Sequence, residues 1–285
     1  MRFLSFSVDG MPSYGIATSK GVHDLGLRHG NVFPDLRSFL EAQSTGLLAP
    51  LSVPRETDYK LSEIEYDPVI PNPGKIICVG ANYVAHREEM GRPEIGHPTL
   101  FTRYADTLVG HKAGLVKPNA TDRFDYEGEL AVIIGQHCRN VPDSEAMDVI
   151  AGVCCFNDGS VRDWQRHSSQ FTAGKNFPGT GALGPEMVTL DELGDLGRLK
   201  LETRLNGQTV QSTSLDMMIF SITASIAYIT AFTPLAPGDI IATGTPGGVG
   251  DKRNPPLYMK VGDKVEVVIE KVGHLTNPVV AEDEA

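Results

Sequence analysis

The sequence is poor in several residue types, and each shortage argues against a class of protein. Of its 285 residues only 4 are cysteines and 1 is tryptophan, and aromatic residues make up 7%. The cysteines form no CxxC pair, so neither a zinc ribbon nor a disulfide-stapled secreted scaffold is indicated. Cys154 and Cys155 are adjacent in an apolar run, where a disulfide between them would be strained. We therefore expect buried free thiols and a reducing, cytoplasmic location.

Basic residues and long apolar runs are also scarce. The chain has 25 Lys and Arg against 36 Asp and Glu, a formal net charge of −11. Because nucleic-acid binding requires a basic face that neutralises phosphates, no nucleic-acid partner is expected. The most apolar segment, 217–232, is interrupted by serines and threonines and falls short of the roughly 20 apolar residues that span a membrane. No secretion signal is visible at the N-terminus, so no membrane partner is expected either.

What the chain does have is the composition of a packed, strand-rich protein. Hydrophobic residues make up 41% and charged residues 21%, which is typical of globular rather than disordered chains. The 30 glycines and 19 prolines predict many turns and thus many strands. The segment 70–74 contains two prolines and a glycine and cannot lie inside a regular element. We therefore predict a small N-terminal β-rich domain over 1–70 and a catalytic domain over 71–285.

Local patterns place the main elements of this α+β, β-rich fold. Alternating or short apolar runs predict strands over 2–6, 14–18, 75–80, 129–135, 150–156, 201–205, 240–243 and 264–270. Asn206 and Gly207 predict a hairpin turn, and short helices are expected over 35–43 and 83–90. Apolar residues at helical spacing from Leu215 to Ile229 predict a longer helix, with Ser212 or Ser214 as its candidate cap.

Three carboxylates are candidates for a divalent metal site. Glu127 and Glu129 are two residues apart, so on an extended strand their side chains point to the same side. Asp158 follows a neighbouring apolar run and could converge with them. An oxygen-only set suits Mg²⁺, Mn²⁺ or Ca²⁺ and suits zinc poorly. The alternative is that these acids mark a solvated strand face, although the apolar run 130–134 favours a buried strand whose acids need a compensating charge.

Three further groups of residues carry candidate chemistry. In a helix His86 and Glu89 are i, i+3 neighbours and form an imidazole–carboxylate pair able to take a proton from water near neutral pH. Arg162 and Lys175 are candidates for holding a substrate carboxylate or an enolate. The glycine-dense loop 243–250 can bring backbone amides and a hydroxyl to a ligand. A surface helix, solvated charges and an ordinary turn are the respective alternatives.

Taken together, these segments resemble the fumarylacetoacetate hydrolase family. The likeness covers essentially all of 70–280 and is carried by five ordered blocks, 79–91, 125–135, 157–165, 174–177 and 238–250. The resemblance implies a mixed β-roll catalytic domain of the family's C-terminal type, a small N-terminal β domain, a homodimer, and a divalent ion at Glu127, Glu129 and Asp158. The stretch 251–256 resembles the subgroup of bacterial acylpyruvate and diketo-acid hydrolases.

The resemblance also implies roles for single residues. His86 and Glu89 match a pair that lies on a mobile lid and activates water. Lys175 matches a lysine that supports the enolate leaving group. Contacts to the 2-oxo acid are implied for Arg162, Gln165 and Thr245, with Tyr83 and Arg103 as further substrate-binding candidates. Many relatives carry Lys at the position of Arg103.

The implied activity is metal-dependent hydrolysis of a C–C bond in a β-diketo acid of the acylpyruvate or fumarylpyruvate type, with a pyruvate enolate leaving. Mg²⁺ or Mn²⁺ is the implied cofactor, with Ca²⁺ as a further candidate, and a small 2-oxo or diketo acid is the implied partner. Two alternatives use related chemistry: decarboxylation of oxaloacetate-like acids, and hydration or isomerisation of unsaturated 2-oxo acids. A non-catalytic β-rich binding module that holds a structural ion is the alternative outside the enzymes.

Overall fold

The computed structural model describes residues 1–49, 51–52, 55–91, 93–94 and 96–284. The strands are β1 (Arg2–Val8), β2 (Met11–Thr18), β3 (Gly21–Asp24), β4 (Glu65–Tyr66), β5 (Ile76–Gly80), β6 (Thr99–Arg103), β7 (Leu108–Val109), β8 (Leu115–Lys117), β9 (Phe124–Asp125), β10 (Gly128–Ile134), β11 (Ile150–Asn157), β12 (Ser160–Val161), β13 (Gly181–Val188), β14 (Lys200–Leu205), β15 (Gln208–Ser214), β16 (Ile240–Ala242), β17 (Lys264–Ile269) and β18 (Gly273–Ala281).

Helices are fewer and mostly short. The α-helices are α1 (Gly26–His29), α2 (Leu36–Ser44), α3 (Val84–Glu89), α4 (Arg162–Gln165), α5 (Thr172–Lys175) and α6 (Ile222–Phe232). Short 3₁₀ helices occupy Ala105–Thr107, Asp143–Val149, Leu190–Glu192, Leu196–Arg198, Leu215–Met217, Gly250–Lys252 and Glu282–Glu284. Among the described residues, no helix combines the length and the apolar character needed to cross a membrane.

A large mixed sheet forms the centre of the molecule. Eleven of the described strands belong to it, in the order β3-β2-β1-β13-β11-β10-β16-β5-β6, with β4 beside β1 and β7 beside β13. Most pairs are antiparallel, whereas β16 runs parallel to β5 and β13 runs parallel to β7. The prediction of a β-rich α+β fold with mixed strands is confirmed. Because β1 pairs with β13, the N-terminal strands share this sheet with the rest of the chain, and the boundary near residue 70 stays a prediction.

Apolar side chains on both faces of the large sheet form the core. A second sheet, β15-β14-β17-β18-β8, packs against one face. Strand β10 is buried along its whole length, and its side chains alternate between the two faces. Leu130 and Val132 belong to the cluster shared with the second sheet, whereas Ala131 and Ile133 belong to the cluster that includes Phe39 of α2. The ends of β10 and its neighbours are thereby held rigidly, which positions the residues described below.

The long helix begins later than its apolar spacing predicts. It starts at Ile222 with Ser221 as N-cap, whose side chain accepts from the Ala224 amide at 3.1 Å. The predicted caps Ser212 and Ser214 lie in strand β15 instead. The reason is tertiary: Asn82 binds the intervening backbone, because its side-chain oxygen and its carbonyl accept the amides of residues 220 and 219 at 2.8 and 2.7 Å. Helical hydrogen bonds cannot form there while these bonds exist.

Two smaller predictions had different outcomes. The turn at Asn206 and Gly207 is confirmed, since both residues have positive φ values, 52° and 79°, as a tight hairpin between β14 and β15 requires. All four cysteines are free, but Cys138 is only half-buried and corrects the expectation of four buried thiols. Cys138 lies outside the regular strands and forms an isolated backbone β-bridge with Leu235, at a position that the core does not fully enclose.

Candidate active site and metal centre

The ends of two paired strands bring the three candidate metal ligands together. Gly128 at the start of β10 pairs with Asn157 at the end of β11. The Asp158 amide donates to the Glu127 carbonyl oxygen at 2.8 Å, and the Glu127 amide donates to the Asn157 side-chain oxygen at 3.0 Å. One oxygen from each of Glu127, Glu129 and Asp158 lies within 4.8 Å of the others. All three side chains are buried, so they do not mark a solvated strand face.

Glu127 is held by two buried cations. Lys175 Nζ lies 2.7 Å from Glu127 Oε2, and Arg162 Nη2 lies 2.7 Å from Glu127 Oε1. Lys175 also donates to Asp158 Oδ2. Burial favours a raised pKa for Glu127, but the charges of Lys175 and Arg162 outweigh it and hold that pKa well below its ordinary value. Lys175 and Arg162 are therefore buried partners of the carboxylates and not solvated surface charges.

Glu129 has different surroundings. Its Oε2 accepts from the Gly244 amide at 2.9 Å. Among the described residues, no Lys or Arg forms an ion pair with it, in contrast to Glu127 and Asp158. Burial, followed by the negative charges of Asp158 and Glu127, raises the pKa of Glu129 well above its ordinary value. Glu129 is thus the carboxylate that most needs a further cation nearby.

The donor set fits a hard divalent cation. When all four buried carboxylates, Asp125 included, are ionised, they outnumber the three buried cations Arg103, Arg162 and Lys175 by one negative charge. An unpaired buried charge is unfavourable, and a divalent ion between the carboxylates would compensate it. Carboxylate oxygens alone suit Mg²⁺, Mn²⁺ or Ca²⁺. The residues present therefore fit the metal that the resemblance implies.

Arg162 is fixed in place by Asp125. Arg162 Nε donates to Asp125 Oδ2 at 2.8 Å, and its Nη1 donates to Gln165 Oε1 at 3.0 Å. Asp125 also accepts the amides of Gly250 and Asp251, at 2.8 and 2.9 Å, and so anchors the end of the glycine-dense loop. Asp125 begins the sequence block 125–135, but the sequence patterns assign no role to it, and its place in that block was the only signal.

His86 and Glu89 form the expected pair on α3. His86 Nδ1 lies 3.3 Å from Glu89 Oε2, and the Gly248 amide lies 3.2 Å from both oxygens of Glu89. Because an ionised carboxylate only accepts hydrogen bonds, Nδ1 carries the proton and Nε2 is left as the basic nitrogen. His86 is only 5% exposed, so the pair does not belong to a solvated surface helix. The supporting amide of Gly248 was not predicted from the sequence.

One pocket collects most of the predicted site residues. Its empty volume is about 370 Å³, open solvent at the mouth included. Its polar lining consists of His86, Glu127, Glu129, Arg162, Gln165, Lys175 and Thr245. Phe101 and Phe171 contact each other edge to face and form an apolar part of the pocket wall. The pocket therefore combines charged groups that can bind an anionic substrate with an apolar wall beside them.

Thr245 lies in the loop that follows β16. Its hydroxyl oxygen is 3.0 Å from the Gly128 carbonyl oxygen and accepts from Gln211 Nε2 at 2.8 Å. Gln211 is a buried residue of β15 that the sequence patterns do not single out. No local signal distinguishes it from the other polar residues of the hairpin, because its partners come from distant parts of the chain.

The remaining two substrate-binding candidates, Tyr83 and Arg103, are not among the described residues that line the pocket. Arg103 lies behind Asp158, where Nη1 donates to Asp158 Oδ1 at 2.6 Å and Nη2 donates to Thr180 at 2.9 Å. Tyr83 is the N-cap residue of α3, and its buried hydroxyl has no hydrogen-bond partner among the described residues. Arg103 therefore holds the candidate metal ligand Asp158, which does not line the pocket either, and Tyr83 caps the helix that carries His86.

Comparisons with known proteins agree with the resemblance. Residues 75–280 match the family model described as fumarylacetoacetate (FAA) hydrolase C-terminal. The chain is 35% identical to the mitochondrial oxaloacetate tautomerase fahd2 of Xenopus laevis over 288 residues, which cover 98% of this chain and 90% of that protein.

Two solved structures show the same fold along the whole chain. One is a fumarylacetoacetate hydrolase from the psychrophile Exiguobacterium antarcticum, with a TM-score of 0.85, 33% identity, and coverage of 99% of this chain and 100% of that one. The other is a maleylpyruvate hydrolase from Sphingobium sp. SYK-6, solved with manganese(II) and pyruvate. Its TM-score is 0.78, with 27% identity and coverage of 99% of both chains.

Proposed function

The chain belongs to the fumarylacetoacetate hydrolase family, and from that premise we propose that it hydrolyses a C–C bond in a β-diketo acid of the acylpyruvate or fumarylpyruvate type. Enzymes of this superfamily include hydrolases, isomerases and tautomerases. The observation that supports hydrolysis is the pair of buried His86 and partly exposed Glu89, whose imidazole lines the same pocket as Glu127 and Glu129. Hydrolysis requires such a base, because water loses a proton as it attacks a carbonyl carbon.

The proposed reaction consumes one water and breaks one C–C bond. His86 Nε2 takes a proton from water, and the water oxygen bonds to the distal carbonyl carbon of the diketo acid. The bond between that carbon and C3 then breaks, and its electron pair passes into the pyruvate enolate. The proton held by His86 is returned to C3, which yields pyruvate and a free carboxylic acid. Lys175 offers positive charge to the departing enolate.

The proposed cofactor is Mg²⁺ or Mn²⁺, with Ca²⁺ as a further candidate. Glu127, Glu129 and Asp158 would hold it, and when bound it supplies Lewis acidity toward the 2-oxo group. Arg162 and Gln165 line the same pocket and would orient the substrate carboxylate. Their mutual hydrogen bond and the Asp125 contact keep both groups ordered before substrate binds.

A second candidate function is tautomerisation of oxaloacetate. The observation that favours it is the full-length similarity to a protein named oxaloacetate tautomerase. That reaction moves a proton between C3 and the enol oxygen and consumes no water. The same imidazole of His86 could carry the proton, so the two candidates differ in product and not in the residues required.

The test follows the absorbance of acetylpyruvate, fumarylpyruvate and oxaloacetate with Mg²⁺, Mn²⁺ or EDTA, while pyruvate, free acid and carbon dioxide are assayed. We expect metal-dependent loss of the diketo-enol band with one pyruvate released per molecule consumed. Replacing the base, His86→Gln, should lower the rate of hydrolysis about 100- to 10,000-fold. The matched control is Glu88→Gln, an exposed position on the same helix, which should keep the wild-type rate.

The products separate the candidates. Interconversion of oxaloacetate tautomers without pyruvate from any acylpyruvate would replace hydrolysis by tautomerisation as the function. Carbon dioxide released from oxaloacetate at full rate by His86→Gln would instead indicate a decarboxylase. If no substrate turned over with any metal, the proposal of an active hydrolase would be wrong, and a binding module would be the better interpretation.

We also propose that the chain forms a homodimer, takes a small 2-oxo or diketo acid as its ligand, and works in the cytoplasm. The first two proposals rest on the family resemblance. The four free cysteines support the third, because free thiols are typical of reducing compartments.

A further inference from the structure

We infer that Gln211 is a positioning residue that orients the Thr245 hydroxyl and ties the glycine-dense loop to the start of β10. Gln211 lies on β15 of the second sheet and is only 2% exposed. It does not line the pocket formed by the described residues, so it acts only through its neighbours. The expected effect of Gln211 on kcat/KM rests on the proposed function, whereas its expected effect on the position of the Thr245 side chain does not.

All of the polar atoms of the Gln211 side chain are used. Gln211 Oε1 accepts from the Gly128 amide at 3.0 Å. Its Nε2 donates to Thr245 Oγ1 at 2.8 Å and to the Pro246 carbonyl oxygen at 2.9 Å. A single primary amide thus joins strand β10 to two consecutive residues of the loop.

The chemistry of these partners fixes the orientation of the amide. A backbone N–H can only donate and a carbonyl oxygen can only accept, so Oε1 must face Gly128 and Nε2 must face Pro246. Nε2 therefore donates to Thr245 and never accepts from it. The hydroxyl proton of Thr245 is consequently directed away from Gln211, toward the Gly128 carbonyl oxygen at 3.0 Å or toward a ligand in the pocket.

The two backbone partners of Gln211, Gly128 and Pro246, lie close in sequence to residues that the proposed chemistry requires. Gly128 lies between Glu127 and Glu129, two of the candidate metal ligands. Pro246 lies two residues before Gly248, whose amide holds Glu89. Loss of the amide would leave a buried N–H and a buried carbonyl oxygen without their side-chain partner, and would free the Thr245 hydroxyl to rotate.

The test is a double-mutant cycle of Gln211→Met and Thr245→Val, with kcat/KM for the preferred acylpyruvate as the readout. Methionine keeps the length of the side chain and removes its three hydrogen bonds. We expect Gln211→Met to lower kcat/KM about 10- to 100-fold, as loss of an outer supporting residue commonly does. In the Thr245→Val background the same change should lower it only about threefold or less, because contacting residues are coupled.

The matched control is Gln208→Met, an exposed glutamine on the same strand, which should leave kcat/KM unchanged. Additive effects of Gln211→Met and Thr245→Val would overturn the inference. If Gln211→Met does not fold, Gln211→Glu takes its place in the cycle, since it keeps an acceptor for the Gly128 amide and removes both donors.

A crystal structure of the Gln211 variant separates this inference from the proposed function. We expect the side chain of Thr245 to leave its position 3.0 Å from the Gly128 carbonyl oxygen. An unmoved Thr245 would refute positioning, whatever reaction the enzyme catalyses. A moved Thr245 in a protein whose wild type turns over no acylpyruvate would support positioning and refute the hydrolase.

Discussion

At the scale of single residues, the three candidate metal ligands differ in how they are paired. Asp158 contacts both Arg103 and Lys175, whereas Glu129 accepts only one backbone amide among the described residues. Asp158 therefore contributes to stability without metal, because its removal leaves Arg103 without a carboxylate partner and Lys175 with Glu127 alone. A carboxylate without a cationic partner, such as Glu129, contributes little to the stability of the protein until a metal ion is bound. The three ligands should therefore respond differently to substitution.

We predict that Glu129→Gln weakens metal binding without lowering the stability of the metal-free protein, whereas Asp158→Asn lowers both the metal affinity and that stability. Glu129→Gln keeps an acceptor for the Gly244 amide and should reduce Mn²⁺ affinity about tenfold or more, which corresponds to about 1.4 kcal/mol. Asp158→Asn should in addition lower the free energy of unfolding by about 3–5 kcal/mol, because it disrupts a buried ion pair. Calorimetric titration with Mn²⁺ and urea unfolding in EDTA measure the two quantities. Equal unfolding free energies for the two variants would contradict the prediction.

Sequence spacing predicted some residues of the site and not others, for a physical reason. Glu127 and Glu129 could be paired because strand periodicity is local, and His86 with Glu89 because helix periodicity is local. Arg103 is different: its guanidinium reaches Asp158 and Thr180 only after β6 has packed beside those segments. Its planar fork of donors serves these partners and Thr107 simultaneously, which a lysine ammonium could not do in the same geometry. Such roles depend on tertiary structure and leave no local pattern.

At the scale of elements, the strands were predicted well and the start of the long helix was not. The buried runs that became β5, β10 and β11 are short and bounded by Gly or polar residues, so their identity depends on local composition. The apolar spacing before Ile222 looks the same as that within the helix. Asn82, some 140 residues away in sequence, binds the backbone of the segment before Ile222 and thereby keeps that segment out of the helix. Periodicity alone cannot reveal such a competing partner.

The packing of β10 on β14 gives an element-scale prediction. A Cβ atom at Gly128 would lie 2.0 Å from Thr203 Oγ1, a buried hydroxyl without a hydrogen-bond partner among the described residues. Gly128→Ala should therefore destabilise the protein by about 1–3 kcal/mol through overpacking. Thr203→Ala should cost about 1 kcal/mol alone, yet should largely rescue Gly128→Ala because it removes the colliding oxygen. Urea unfolding of the two single variants and the double variant tests this, and a double variant no more stable than Gly128→Ala would contradict it.

At the scale of the whole molecule, His111 connects the N-terminal strands to the second sheet. Its ring packs edge to face on Tyr66, with ring centres 4.8 Å apart, and its Nδ1 accepts from the Thr276 amide of β18 at 3.1 Å. Burial, followed by the nearby charges of Lys112 and His274, lowers the pKa of His111 to about 4. An unprotonated Nδ1 is also what the Thr276 contact requires, since a protonated nitrogen cannot accept a hydrogen bond.

This arrangement predicts how global stability depends on pH. The unfolded chain binds a proton at His111 with a pKa of about 6.5, whereas the folded protein does so only near 4. Between these values the unfolded state holds more protons, so the stabilisation from His111 is complete above pH 6.5 and is lost as the pH falls toward 4.

His111→Phe keeps the aromatic contact with Tyr66 but leaves the Thr276 amide without its acceptor. It should therefore be less stable than the wild type at pH 7, and the difference should shrink as the pH is lowered. Urea unfolding at half-unit steps from pH 4.5 to 7.5 measures this convergence. The control is His167→Phe, at an exposed histidine that forms no ion pair among the described residues, and it should run parallel to the wild type. A difference between His111→Phe and wild type that stayed constant with pH would mean that His111 does not link the two parts of the fold in a proton-dependent way.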